Sequence, residues 1–228
     1  MLAYYINLIL FIISLLTLIY FTYKPVKNYR LIFKIITSIL FISTGIISYL
    51  HSQGDFYYFI LLIIGLIFSL FGDILLVPKI NTRTGELTKM FLYGLISFSI
   101  THIMYVLAFI HVCSFNWTDL IIVFIISSLI IYTLKHNKNI NFKNMFIPTY
   151  VYSYLICLMV FESFKVTLLS LNEYSSSLLL LGSLLFVFSD IILAFILFYN
   201  KPSKVLSGLN LLTYYIGQLL IASTLLFL

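Results

Sequence analysis

Eight runs of apolar residues, at about 2–23, 31–50, 57–77, 91–112, 117–134, 144–165, 175–199 and 205–228, occupy nearly the whole chain. A bilayer span needs about 20 residues at a helical rise of about 1.5 Å. The 228 residues are almost used up by such spans, so no soluble domain with a separate activity is expected. With 62% apolar and 9% charged residues, the chain falls outside the range of water-soluble globules. The runs are too long and too uniformly apolar for the alternating strands of an outer-membrane barrel, and a backbone in lipid must satisfy its own hydrogen bonds, which leaves helices. The expected fold is all-α, a single integral membrane domain over residues 1–228 built from about eight transmembrane helices.

The basic residues set the expected orientation. Lys24, Lys27 and Arg30 follow the first run, Lys79, Arg83 and Lys89 the third, Lys135, Lys138 and Lys143 the fifth, and Lys201 and Lys204 the seventh. Lys34 lies just inside the second run, and only Lys165 falls on the other side. The excess of positive charge on inner loops then predicts N- and C-termini outside a cell membrane. It also accounts for the net charge of +6 without a nucleic-acid partner. The first run has no basic residue before it and three after it, the reverse of a cleavable signal peptide, so it is expected to remain as a helix. The outer connections near 51–56, 114–116 and 170–174 are too short for an external binding domain, and the longest inner loop carries a turn-rich segment at 81–86 that reads as a solvated connector.

Two acidic residues interrupt this pattern in matched settings. Gly65 precedes Asp73 by the same separation as Gly182 precedes Asp190, each within an apolar run. An ionised carboxylate there costs several kcal/mol unless it faces a polar cavity or a partner. The echo extends further. Aligning the two Asp residues brings His102 close to Gln218 and sets Lys34 near 148–150, which predicts two four-helix repeats of like orientation, 1–112 and 117–228.

Helical rise puts Asp73 about 7 Å and Asp190 about 14 Å from the inner ends of their spans, with Tyr214, Gln218 and His102 about 15 to 20 Å in. All are expected to line one cavity open to the inner side, with Ser69 one turn from Asp73 and Ser189 beside Asp190. Plainer readings stand beside this one. Asp73 could pair with Lys34 and fix helix register, Lys34 could snorkel to the interface, and His102 with Tyr105 one turn later could be a hydrogen-bonded packing pair. His51, His111 and His136 fall near span ends or in loops and supply no three-histidine zinc set. Glu162 is expected to pair with Lys165 or reach the headgroups, Cys113 and Cys157 read as packing residues, and Gly65, Gly72, Gly94, Gly182 and Gly217 as points of close helix approach.

The ordered set Phe33-Lys34, Ser69-x-x-Gly72-Asp73, Gly94 with His102-x-x-Tyr105, Ser189-Asp190 and Tyr214-Tyr215-x-x-Gln218 resembles the YhhN family of lysoplasmalogenase-like integral membrane proteins over essentially the whole chain. One departure is Lys34-Ile35, where family members often have Lys-Pro. The resemblance implies hydrolysis of the vinyl ether bond of a lysophospholipid to a fatty aldehyde and a glycerophospho-alcohol. Cleaving an enol ether needs a carboxylic acid that protonates the double bond and a carboxylate that steadies the oxocarbenium ion or activates water. Asp73 and Asp190 suit those two roles in either order, without metal or cofactor. Tyr214, Gln218 and His102 would orient water or the ether oxygen, with Lys34 near the substrate phosphate. The competing expectations are a transporter or lipid translocator with a midplane polar site, a hydrolase of another lipid bond, and a structural role. No nucleophile-elbow context favours a serine hydrolase. Nothing in the sequence sets the oligomeric state.

Overall fold

The computed structural model describes residues 1–24, 28–76, 87–169, 173–199 and 204–227. Lys27, Lys79, Arg83, Lys201 and the segment 81–86 lie outside them. The described chain forms eight helices, α1 (Leu2–Tyr23), α2 (Tyr29–Ser52), α3 (Phe56–Leu75), α4 (Lys89–Val112), α5 (Trp117–His136), α6 (Phe146–Leu169), α7 (Glu173–Phe198) and α8 (Lys204–Ser223), followed by a short 3-10 turn. Each is long and apolar enough to cross a membrane, and no β-strand occurs among the described residues. The chain is an integral membrane protein.

The helix ends follow local chemistry. Asp55 caps α3 by accepting the Tyr58 amide at 2.7 Å, and this bond, reinforced by His111, holds the Asp55 carboxyl below the usual carboxylate range. The sequence places the end of the sixth span near Lys165, whereas α6 continues to Leu169. Lys165 can sit within the helix because its ammonium meets Asp119 of α5, Glu162 at 3.0 Å and the Ser114 carbonyl at 3.0 Å. At the opposite end of the bundle the α5–α6 connection is fastened to α7, through the Asn141 amide on the Phe198 carbonyl, and to Leu87 ahead of α4, through the Asn144 side chain.

Helix packing follows one scheme in both halves of the chain. The closest pairs are α3 with α4 and α7 with α8; α1 packs on α2 as α5 packs on α6, and α2 meets α8 as α4 meets α6. One correspondence fails. α1 also packs on α8, but α5 makes no comparable contact with α4 or α7. Accordingly α8 is the most enclosed helix and α5 the least.

The close approach of α7 and α8 depends on Gly182 and Gly217. A Cβ on Gly217 would lie 2.8 Å from the Gly182 carbonyl oxygen, and one on Gly182 2.9 Å from the Gly217 carbonyl oxygen. Neither obstacle is a side chain that can swing aside. Gly217→Ala is therefore expected to cost about 1–3 kcal/mol by forcing the helices apart, read as a lower melting temperature in detergent. An unchanged melting curve would mean the two backbones have slack.

Candidate active site

Asp73 sits two residues before the end of α3 and is fully buried. Its Oδ1 meets the Lys34 ammonium of α2 at 2.9 Å, and the same ammonium donates to the Asp73 carbonyl at 3.0 Å. Its Oδ2 accepts from the Ser38 hydroxyl at 2.6 Å and the Tyr214 hydroxyl at 2.8 Å, with the Tyr215 hydroxyl at 3.3 Å. Lys34 is thus committed to Asp73. The snorkelling alternative fails because this carboxylate lies within reach and repays the burial of the charge.

The donors to Asp73 are themselves held in order. Tyr105 donates to Gln218 Oε1 at 2.6 Å, the Gln218 amide donates to Ser69 Oγ at 2.7 Å, and Ser69 lies 2.7 Å from the Tyr214 hydroxyl. Because Gln218 supplies a proton to Ser69 and Tyr214 gives its own to Asp73, Ser69 must donate to Tyr214. From the Gln218 amide onward, every bond points toward Asp73. The Tyr214 ring is fixed edge-on between Phe98 and Phe186, at centroid distances of 5.8 and 5.3 Å.

Asp190 lies on α7, eight residues before its end, and is half-buried. Among the described residues no cation pairs with it. Its Oδ2 is 2.5 Å from the Tyr152 hydroxyl of α6, that hydroxyl is 3.1 Å from His102 Nε2, and His102 Nδ1 is 3.3 Å from the Met159 sulfur. The Tyr152 hydroxyl gives its one proton to Asp190, so its oxygen is left to accept from His102 Nε2. Among the described residues Asp190 thus meets a hydroxyl donor and no cation, where Asp73 meets an ammonium and two close hydroxyls.

Both carboxyls line a single small cavity of about 30 Å³, together with Lys34, Phe98, Asn210 and Tyr214. A site of that size and polarity can hold a water. Asn210 ties α8 to α7 by donating to the Ser189 carbonyl at 2.8 Å and to Ser189 Oγ at 2.9 Å. Across Leu76, Phe98, Asp190 and Leu193 the small cavity adjoins a larger apolar one of about 250 Å³.

Several sequence expectations change at this level. Asp73, Asp190, Lys34, Ser189 and Tyr214 reach the shared cavity, but Ser69, His102, Tyr105 and Gln218 do not. They stand behind it as buried partners, since a Gln amide or His ring enclosed in the bundle needs hydrogen-bond partners there. His102 and Tyr105 do not bond each other; the first turns to α6 and the second to α8. Cys157 lines the larger cavity as well as packing. Tyr152, Ser38, Asn210 and Met159 were not singled out from the sequence. Tyr152 is one of 18 tyrosines, and no spacing marks it apart.

Comparison with known protein families supplies the remaining observation. The model described as the YhhN family matches residues 29–225, from the start of α2 to the turn after α8. The chain belongs to the YhhN family. The YhhN match covers both Asp residues and every partner named above, leaving residues 1–28, with α1, and 226–228 outside it. No curated protein and no solved structure gives a significant match to this YhhN chain.

Proposed function

We propose that the chain is a membrane-embedded hydrolase that cleaves the vinyl ether bond of lysoplasmalogen-type lysophospholipids, releasing a fatty aldehyde and a glycerophospho-alcohol. YhhN membership supports the class of reaction. The observation that carries the reading is a pair of aspartates with unlike partners that line one cavity. Asp73, with an ammonium and hydroxyl donors around it, is equipped as a carboxylate, and Asp190, with one tyrosine hydroxyl and no cation among the described residues, in a largely apolar setting, is equipped as the acid.

In this reading Asp190 gives its proton to the outer carbon of the double bond, leaving an oxocarbenium ion beside the Asp73 carboxylate. Water in the cavity attacks the cationic carbon and passes a proton to Asp73. The resulting hemiacetal breaks its bond to the glycerol oxygen, which takes the proton from Asp73, while the hemiacetal hydroxyl returns its own to Asp190. Both groups regain their starting states, and one water is consumed. Lys34, assigned at first to the substrate phosphate, acts here mainly by holding the charge and position of Asp73.

The packing scheme supports two four-helix repeats, each Asp taking a partner from the preceding helix of its own half: Lys34 for Asp73, Tyr152 for Asp190. We place both termini outside a cell membrane, the basic loops inside. The test of function is purified protein in detergent incubated with a panel of lysophospholipids carrying vinyl ether, alkyl ether or ester chains, with mass spectrometry of the products. Aldehyde from the vinyl ether substrate alone is expected. Products only from esters, or none without a sealed vesicle and a gradient, would overturn the reading.

A further inference from the structure

The larger cavity is lined almost wholly by carbon, from α4, α5, α6, α7 and the α5–α6 connection, and Asp190 carries the one carboxyl among its described lining residues. Residues 187 to 198 of α7 line it, a length of about 16 Å along the helix. Its floor at the basic end is Ile140 and Phe142, fastened in place by the Asn141 to Phe198 bond. Toward the bilayer it is open. Ile130 of α5 and Ile191 and Phe195 of α7 line the cavity and are also exposed on the outer surface of the bundle, because α5 does not close against α7. In the first half of the chain the corresponding helix, α1, packs on α8 instead.

We infer that this cavity is the site for the single hydrocarbon chain of a lysophospholipid, entered sideways from the bilayer between α5 and α7, with the chain's first carbons held at Asp190. The inference rests on the hydrolase reading for its substrate class. Three features commit the occupant. The lining is apolar, so it suits a chain and not a headgroup. The gap faces lipid and not water, so the entrant comes from the membrane. Among the described residues its polar outlet is the small cavity with Lys34, Asp73, Asn210 and Tyr214, so the atom joining chain to headgroup is placed beside the two aspartates. One slot adjoins the small cavity, which suits a lipid with one chain.

The experiment is photolabelling of the intact protein in phospholipid vesicles with an alkyl ether lysophospholipid carrying a diazirine on its chain. Lacking the double bond, the probe cannot be protonated and cleaved, so binding is read apart from chemistry. Insertion is expected at Ser153 and Cys157 of α6 and Ala194 of α7, inside the slot. Unlabelled single-chain lysophospholipid at about ten times its Kd should reduce it roughly tenfold, by the factor 1 + [L]/Kd, while diacyl phospholipid should not. Insertion confined to bilayer-facing residues such as Leu16 and Ile121, unaffected by competitor, would overturn the proposal. Competed labelling in the slot without aldehyde release would leave the chain site standing and remove the hydrolase; aldehyde release without competed labelling would do the reverse.

Discussion

Asp190→Asn is expected to lower aldehyde release by about 10²–10⁴-fold, the usual worth of a positioned acid or base, while the protein still inserts and melts near the wild-type temperature. Asn keeps the shape of the side chain and can still bond the Tyr152 hydroxyl, so the helices have no reason to move. What it cannot do is deliver a proton to carbon. Asp73→Asn should give a loss of similar size for a different reason, because the oxocarbenium ion and the attacking water then meet no carboxylate. Rates measured on purified variants in detergent decide the matter. Activity retained in both would reject the assignment of these two groups.

Lys34→Met is expected to be the most destabilising change in the site. It leaves a fully buried carboxylate with hydroxyl donors only, and removing one member of a buried ion pair typically costs about 3–5 kcal/mol. The same change removes the ammonium that holds the Asp73 carboxylate in position at the cavity. Stability and activity should therefore fall together, whereas Asp190→Asn separates them. Lys34→Arg keeps the charge and should restore most of the melting temperature. A Lys34→Met protein with wild-type stability and turnover would show that the hydroxyls alone suffice for Asp73.

The architecture was open to reading from the sequence because lipid imposes one rule: about 20 apolar residues per helix, with charges between them. The eight helices accordingly lie where the apolar runs do. Asp73, Asp190 and Lys34 stood out for the same reason, as charges where charge is costly. The supporting shell was harder to read. Ser38, Tyr152 and Tyr215 are polar groups that membrane helices use freely, and which of 18 tyrosines turns inward depends on neighbours far along the chain. The spacing of His102 and Tyr105 suggested a local pair, yet both are fully buried and each found a stronger partner on another helix. The slot beside Asp190 left no mark in the sequence at all, since it comes from α5 standing away from α4 and α7 while composed of the same residues as its neighbours.

The proposed chemistry needs one carboxylic acid and one carboxylate lining the same cavity. Infrared difference spectroscopy reads that directly, because a protonated carboxyl and an ionised one absorb in separate regions. Subtracting the spectrum of Asp190→Asn from that of the wild type at neutral pH should reveal the carbonyl band of a protonated acid, and the same subtraction with Asp73→Asn should reveal only carboxylate bands. A protonated-acid band lost with Asp73, or none lost with either, would contradict it.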